Sequence, residues 1–220
     1  MPLSSGRTLM LTGGRAAQWV YQALANDPAF LALSGVRCLF GDERAVPMDH
    51  PDSNYRAVMS SLFSQGIPTG CTVEPMPADQ PDLDQAAMIY STQIPPVIDL
   101  LLLSVGEDGH IASLFPGRPA LHEQTRLVVP VSSPKPPPRR LTITPPVLQR
   151  AKRIVVLAYG SEKSALYAHA QTDCANIDAL PARLVRHGEW LITTDRDALQ
   201  TQARDIIVNT LRAEPSAPRI

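Results

Sequence analysis

The chain has 220 residues, 44% hydrophobic and 19% charged, with a formal net charge of −1 and a sequence pI near 6.5. That is a globular composition with enough apolar side chain for a core, and its balance forces no broad basic surface, so neither nucleic acid nor an anionic membrane is an expected partner. Cys38, Cys71 and Cys174 are far apart and odd in number, with no C-x-x-C spacing, which excludes a disulfide framework and a structural zinc site and suits reduced thiols in a cytoplasm.

Residues 1–7 contain no apolar stretch of the signal-peptide kind, and the longest apolar run, Ile98–Leu103, is too short to span a bilayer. Thr8–Leu11 reads as a strand ending at Gly13-Gly14. Arg15–Asn26 follows as a helix, with Trp19, Val20, Ala23 and Leu24 at helical spacing. Val36–Phe40 is a second strand, ending at Gly41-Asp42-Glu43-Arg44. A helix then runs from Pro51-Asp52-Ser53 to about Ser64, with Asp52 or Ser53 as N-cap. Cys71–Glu74 suits a short strand, and Asp82–Gln93 a helix stopped by Pro95-Pro96.

Ile98–Val105 is apolar almost without interruption, the pattern of a strand buried on both faces of a parallel sheet. Leu127–Val131 and Leu141–Ile143 are strands around the proline-rich loop 134–138, and Pro145–Arg150 is a short helix. Ile154–Tyr159 is a strand, Ser161–Ala170 a helix, Trp190–Thr193 a last strand and Asp195–Ala203 a last helix, with a tail that frays after Asp205. The 22 prolines alternate with apolar runs, which suits rigid connections rather than disorder. Strands alternating with helices predict one α/β domain over 1–220, Rossmann-like, with a mostly parallel sheet flanked by helices. Ligands in such folds bind beyond the C-terminal strand ends. Four of those ends carry polar or glycine-rich sequence, at Gly13-Gly14-Arg15, Asp42-Glu43-Arg44, Gly106–His110 and Gly160, and they are expected to converge.

Each candidate segment has two readings. Gly13 and Gly14 let backbone amides approach an anion at a helix N-terminus, with Arg15 as an added donor; the same residues also fit a ligand-free turn. Asp42-Glu43-Arg44, followed by His50, Ser53 and Asn54, suits ligand positioning, with Arg44 aimed at a phosphate or a developing oxyanion, or else a surface ion-pair cluster. Gly106-Glu107-Asp108-Gly109-His110 places a carboxylate two residues from an imidazole, an arrangement for acid–base work near neutral pH, or else a capped helix start. Lys135-Pro136-Pro137-Pro138-Arg139-Arg140 is a stiff loop that gathers three cations, for a phosphate or carboxylate, or else a polyproline linker.

Together these segments resemble the 6-phosphogluconolactonase family from about Leu9 to Asp195. The motifs that carry the resemblance are Asp42–Pro47 with His50 and Asp52–Tyr55, Gly106–Pro116, Lys135–Thr142 and Leu180-Pro181-Ala182. The resemblance implies the fold shared by glucosamine-6-phosphate deaminases and ribose-5-phosphate isomerases. It implies hydrolysis of 6-phospho-D-glucono-1,5-lactone in the pentose phosphate pathway, without metal or cofactor, by a cytoplasmic monomer or weak homodimer. His110 is then the base and Asp108 its orienter. Arg44 lies near the lactone or phosphate, and Lys135 and Arg140 face the phosphate. Gly13, Gly14, Arg15, Asn54 and Gly106 complete the expected site. The chain departs from the family in having Thr12-Gly13-Gly14-Arg15-Ala16-Ala17 where members usually carry Ser-Gly-Gly-Ser-Thr-Pro, and it is expected to lack a preceding helix.

The rival chemistry is amino-sugar phosphate deamination, whose similar Asp-Gly-His run leads to a glutamate. Ser113-Leu114-Phe115-Pro116 has no carboxylate there, which favours the lactone. A catalytically silent sugar-phosphate-binding regulator is the alternative outside enzymology.

Overall fold

The computed structural model describes residues 6–172 and 176–212. In chain order its elements begin with β1 (Arg7–Leu11), α1 (Arg15–Leu24), α2 (Pro28–Leu31), β2 (Val36–Phe40), β3 (Asp42–Arg44), α3 (Asn54–Ser61), β4 (Thr72–Val73), α4 (Leu83–Ser91) and β5 (Leu100–Ser104). They continue with β6 (Val128–Ser132), β7 (Arg139–Ile143), α5 (Pro145–Leu148), β8 (Ile154–Tyr159), α6 (Glu162–Gln171), β9 (Glu189–Thr193) and α7 (Arg196–Arg212), with short 3₁₀ turns at Pro119–His122 and Pro181–Val185.

Six strands pair in the order β4-β2-β1-β5-β8-β9, all parallel. The uninterrupted apolar run of β5 follows from burial on both faces: Leu100 and Leu102 join a core with α1, α3 and α7, while Leu101 and Leu103 join the core on the other face. The chain winds outward from β1 through β2 to β4, then returns to β5 and winds the opposite way. The crevice between β1 and β5 is therefore the switch point at which such sheets bind ligands. At the opposite end of the sheet the buried Asp99 accepts hydrogen bonds from Thr8 N (2.9 Å), Arg7 (3.0 Å) and Lys152 (2.9 Å), pinning the starts of β1, β5 and β8.

Three expectations need correction. Asp42–Arg44 is not merely a polar strand end. It is strand β3, paired with β7 in a separate antiparallel sheet, β3-β7-β6. One face of the parallel sheet is thus covered partly by this small sheet rather than by helices alone, because Leu141 and Ile143 of β7 and Val128 and Val129 of β6 bury against it. Asp27 caps the unanticipated α2, its side chain accepting from Ala29 N and Phe30 N. The last helix runs through Arg212, held by Ile207, Val208 and Leu211 in the core, where the sequence suggested fraying from Asp205 onward; the remainder of that tail, 213–220, lies outside the described residues. Ser53 is the N-cap of α3, bonding Arg56 N. Cys38 is buried and Cys71 partly buried, both as free thiols, and Cys174 lies outside the described residues. No helix among the described residues is long and apolar enough to cross a membrane.

Candidate active site

The four expected strand ends do converge. A cavity of about 540 Å³ opens over the switch point, lined among others by Gly13, Gly14, Arg15, Asp42, Arg44, Asn54, Gly106, His110, Lys135, Arg140 and Gly160. On one side is the β1–α1 turn. Tyr21 clamps it, its hydroxyl accepting from Thr12 N (3.0 Å) and donating to Thr12 O (2.9 Å), and Ser104 Oγ donates to Gly13 O (2.8 Å). Gly14 is the N-cap of α1, and among the described residues no side-chain hydrogen bond caps that terminus. Its first-turn amides are therefore free to meet an anion.

On the other side is the loop that follows β5. His110 Nδ1 lies 2.5 Å from Asp108 Oδ1, and Lys135 Nζ lies 3.7 Å from the same oxygen. Burial alone raises the Asp108 pKa, but the hydrogen bond and charge of His110, with Lys135 adding to them, carry it below the ordinary carboxylate value. An ionised Asp108 keeps a proton on Nδ1 and leaves Nε2 as the acceptor for the cavity. Gly106 makes room for this pair, because a Cβ there would lie 2.1 Å from His110 Nδ1 and 2.7 Å from Asp108 Oδ1. The imidazole also packs on Phe115, with ring centroids 4.6 Å apart.

The loop is held from three directions. Gly106 N donates to His110 O (2.9 Å). Ala182 N donates to Gly109 O (2.9 Å), which explains why the Leu180-Pro181-Ala182 motif accompanies the histidine at such a distance in sequence. Ser113 N donates to Thr142 Oγ1 of β7 (3.0 Å). Between His110 and Ser113 the backbone passes through Ala112 at φ 48. That left-handed conformation costs a non-glycine residue about 1–2 kcal/mol and persists only where the surroundings enforce it.

The acidic pair of β3 is structural. Glu43 is buried, which raises its pKa, while its oxygens cap α3 by accepting from Asn54 N (2.7 Å), Tyr55 N (2.7 Å), Ser53 Oγ (3.1 Å) and its neighbour Arg44 N (2.7 Å). Arg44 donates to Asp52 O (2.5 Å), and its Nε is buried without a hydrogen-bond partner among the described residues. His50 stays outside the cavity, its Nδ1 accepting from Asp52 N (3.1 Å).

The cations of the proline loop separate. Lys135 reaches the histidine pair, whereas Arg139 points away and donates to Pro81 O (3.3 Å). Arg140 touches the cavity but is 5% exposed, and its guanidinium bonds the carbonyls of Pro137 (3.1 Å), Lys135 (3.3 Å) and Pro136 (3.3 Å). Its first task is to brace the loop that carries Lys135.

Sequence reasoning passed over Lys163, the neighbouring Glu162, and Trp19 with Tyr159 on the cavity wall. Lys163 is 6% exposed, and the nearest carboxylate is that of Glu162, 3.7 Å away. Its signal was present in the spacing: a lysine three residues after Gly160, at a strand end already singled out. Among the described residues no group of three or more acidic, histidine or cysteine side chains is placed to hold a metal.

Residues 4–193 match the family described as glucosamine-6-phosphate isomerases/6-phosphogluconolactonase. A 6-phosphogluconolactonase of Synechocystis is 34% identical over 202 residues, covering 87% of this chain and 82% of that protein. The human 6-phosphogluconolactonase is 38% identical over 192 residues, covering 81% of this chain and 73% of its own. Among solved structures, the 6-phosphogluconolactonase of Trypanosoma brucei superposes with a TM-score of 0.74 at 28% identity, covering 90% of this chain and 86% of that one.

Proposed function

This chain belongs to the glucosamine-6-phosphate isomerase/6-phosphogluconolactonase family, and within it we propose that the chain hydrolyses 6-phospho-D-glucono-1,5-lactone to 6-phosphogluconate, a step of the pentose phosphate pathway, in the cytoplasm. One observation carries the reading: a histidine whose Nδ1 is taken by a carboxylate lines the same cavity as an uncapped helix N-terminus and a buried lysine. The first suits proton transfer at a carbonyl, and the second and third suit a phosphate dianion.

In this mechanism the phosphate lies against the Gly13–Gly14 turn and Lys163, displacing Glu162 from the ammonium, with Arg15 at the rim. That anchoring orients the lactone and lowers the entropy cost of reaction. His110 Nε2 takes a proton from water as the oxygen attacks C1. Negative charge moves onto the carbonyl oxygen, where Arg44, whose Nε has no partner among the described residues, and Lys135 are the cations that stabilise it. The C1–O5 bond then breaks, and the imidazolium returns the proton to O5. The products are the carboxylic acid and the free 5-hydroxyl, and the histidine is neutral again. Asp108 remains anionic throughout and orients the ring.

The test is turnover of freshly prepared lactone, corrected for its spontaneous hydrolysis, by the wild type and by His110→Ala. The variant is expected to lose about 10²- to 10⁴-fold in kcat while still binding 6-phosphogluconate. Equal turnover by the two would remove His110 from the mechanism. Release of ammonia from glucosamine 6-phosphate would instead favour the deaminase chemistry, whose glutamate Ser113-Leu114-Phe115-Pro116 does not supply.

A further inference from the structure

If one wall of the cavity holds the phosphate and the other delivers water to C1, the spacing of the two walls sets how well the lactone is aligned. A buried chain of one close contact and three hydrogen bonds joins them. Gly13 lies flush against the Asn54 side chain, since a Cβ on Gly13 would fall 2.0 Å from Asn54 Oδ1. Asn54 Nδ2 donates to Asp42 Oδ1 (3.2 Å) and to the Asp42 carbonyl (2.9 Å). Ser113 Oγ donates to Asp42 Oδ2 (2.6 Å), and Ser113 follows the turn at Ala112 that ends the histidine loop. Asn54, Asp42 and Ser113 are 3%, 5% and 1% exposed, and both carboxylate oxygens of Asp42 are engaged within the protein.

We infer that Asp42 is a positioning residue that fixes the register between the phosphate-binding turn and His110. Apolar packing could join β3, α3 and the histidine loop, but it would be indifferent to small slips. A hydrogen-bonded chain through both oxygens of Asp42 holds direction as well as distance. Glu43 supports the same end by fixing the start of α3, and so the place of Asn54. Asp42 therefore acts through its neighbours rather than on the reacting atoms. The inference rests on the lactonase reading and on Lys163 as the phosphate's partner.

The experiment is a double-mutant cycle on the full chain with Asp42→Asn and Lys163→Met, measuring kcat and KM for the lactone and melting temperatures for all four proteins. In the wild-type background Asp42→Asn is expected to lower kcat about 30-fold with little change in KM. In the Lys163→Met background, where the phosphate has lost its buried cation and anchors the substrate far less firmly, the same change is expected to cost less than about threefold. Equal penalties in the two backgrounds would overturn the inference, because a purely structural defect is indifferent to how the phosphate is held. If Asp42→Asn does not fold, Ser113→Ala, which removes a single hydroxyl, takes its place in the cycle with the same expectations. A wild type that does not turn over the lactone refutes the lactonase reading and the inference together, whereas equal penalties overturn the inference alone.

Discussion

The substitution Gly106→Ala tests the geometry of the proposed catalytic pair, Asp108 and His110, without replacing either member. The added methyl carbon would sit 2.1 Å from His110 Nδ1, 2.2 Å from Cε1 and 2.7 Å from Asp108 Oδ1, whereas ordinary contact begins near 3.4 Å. The ring must retreat by more than 1 Å. It cannot do so freely, because Phe115 packs on it and the loop backbone is tied at Gly106, Gly109 and Ser113. A displacement of about 1 Å at a reacting group costs on the order of 10²-fold in rate, and partial loss of the Asp108 hydrogen bond adds to that. We expect kcat to fall about 10²- to 10³-fold, with KM nearly unchanged because the added methyl meets the His110–Asp108 pair and none of the proposed phosphate partners. Over-packing should cost about 1–3 kcal/mol in stability, a fall of several degrees in melting temperature. Gly117→Ala is the control: its φ is 65 and nothing lies within 4 Å of the new carbon, so it should show backbone strain with unaltered kcat. A folded Gly106→Ala protein with kcat within about threefold of the wild type would refute the reasoning.

Asp108→Asn should keep the ring in place but lose the anion that fixes its tautomer, lowering kcat about 10²- to 10⁴-fold with little effect on KM, as initial rates on fresh lactone would reveal. Lys163→Met preserves the buried stem and removes the charge, so KM should rise about 10- to 100-fold while kcat falls less; inhibition by inorganic phosphate should weaken in parallel. Asp99→Asn is expected to destabilise the strand starts by about 1–3 kcal/mol at neutral pH. Burial raises the Asp99 pKa, but the hydrogen bonds from Lys152, Thr8 N and Arg7 outweigh it, so the folded-state value is depressed. Its contribution is therefore complete above the ordinary carboxylate value and is lost as pH falls through the folded one. The gap in melting temperature between wild type and variant should close on acidification; a gap that stays constant into strong acid would contradict this assignment.

Most of the parallel sheet was legible in the sequence, as was the carboxylate–histidine pair proposed to do the acid–base work. The apolar runs at Val36–Phe40 and Ile154–Tyr159 match their strands, and the run at Ile98–Val105 contains β5, because burial on both faces leaves an unmistakable mark in composition. Glycine and polar residues at the ends of these strands marked the cavity, and the two-residue spacing of Asp108 and His110 reported their pairing directly. Spacing could not report which polar residues pair across the chain. That Asp42 and Glu43 are a buried link and a helix cap, rather than ligands, depends on β3 pairing with β7, nearly a hundred residues away. That Arg140 turns inward to brace a loop while Arg139 points away from the cavity depends on which way β7 presents alternate side chains. Lys163 was overlooked because a lysine in a first helical turn is usually solvated, and only the tertiary fold around the cavity buries it. Local pattern is written into the chain by periodicity and by backbone chemistry. Partners distant in sequence are chosen only when the two sheets dock.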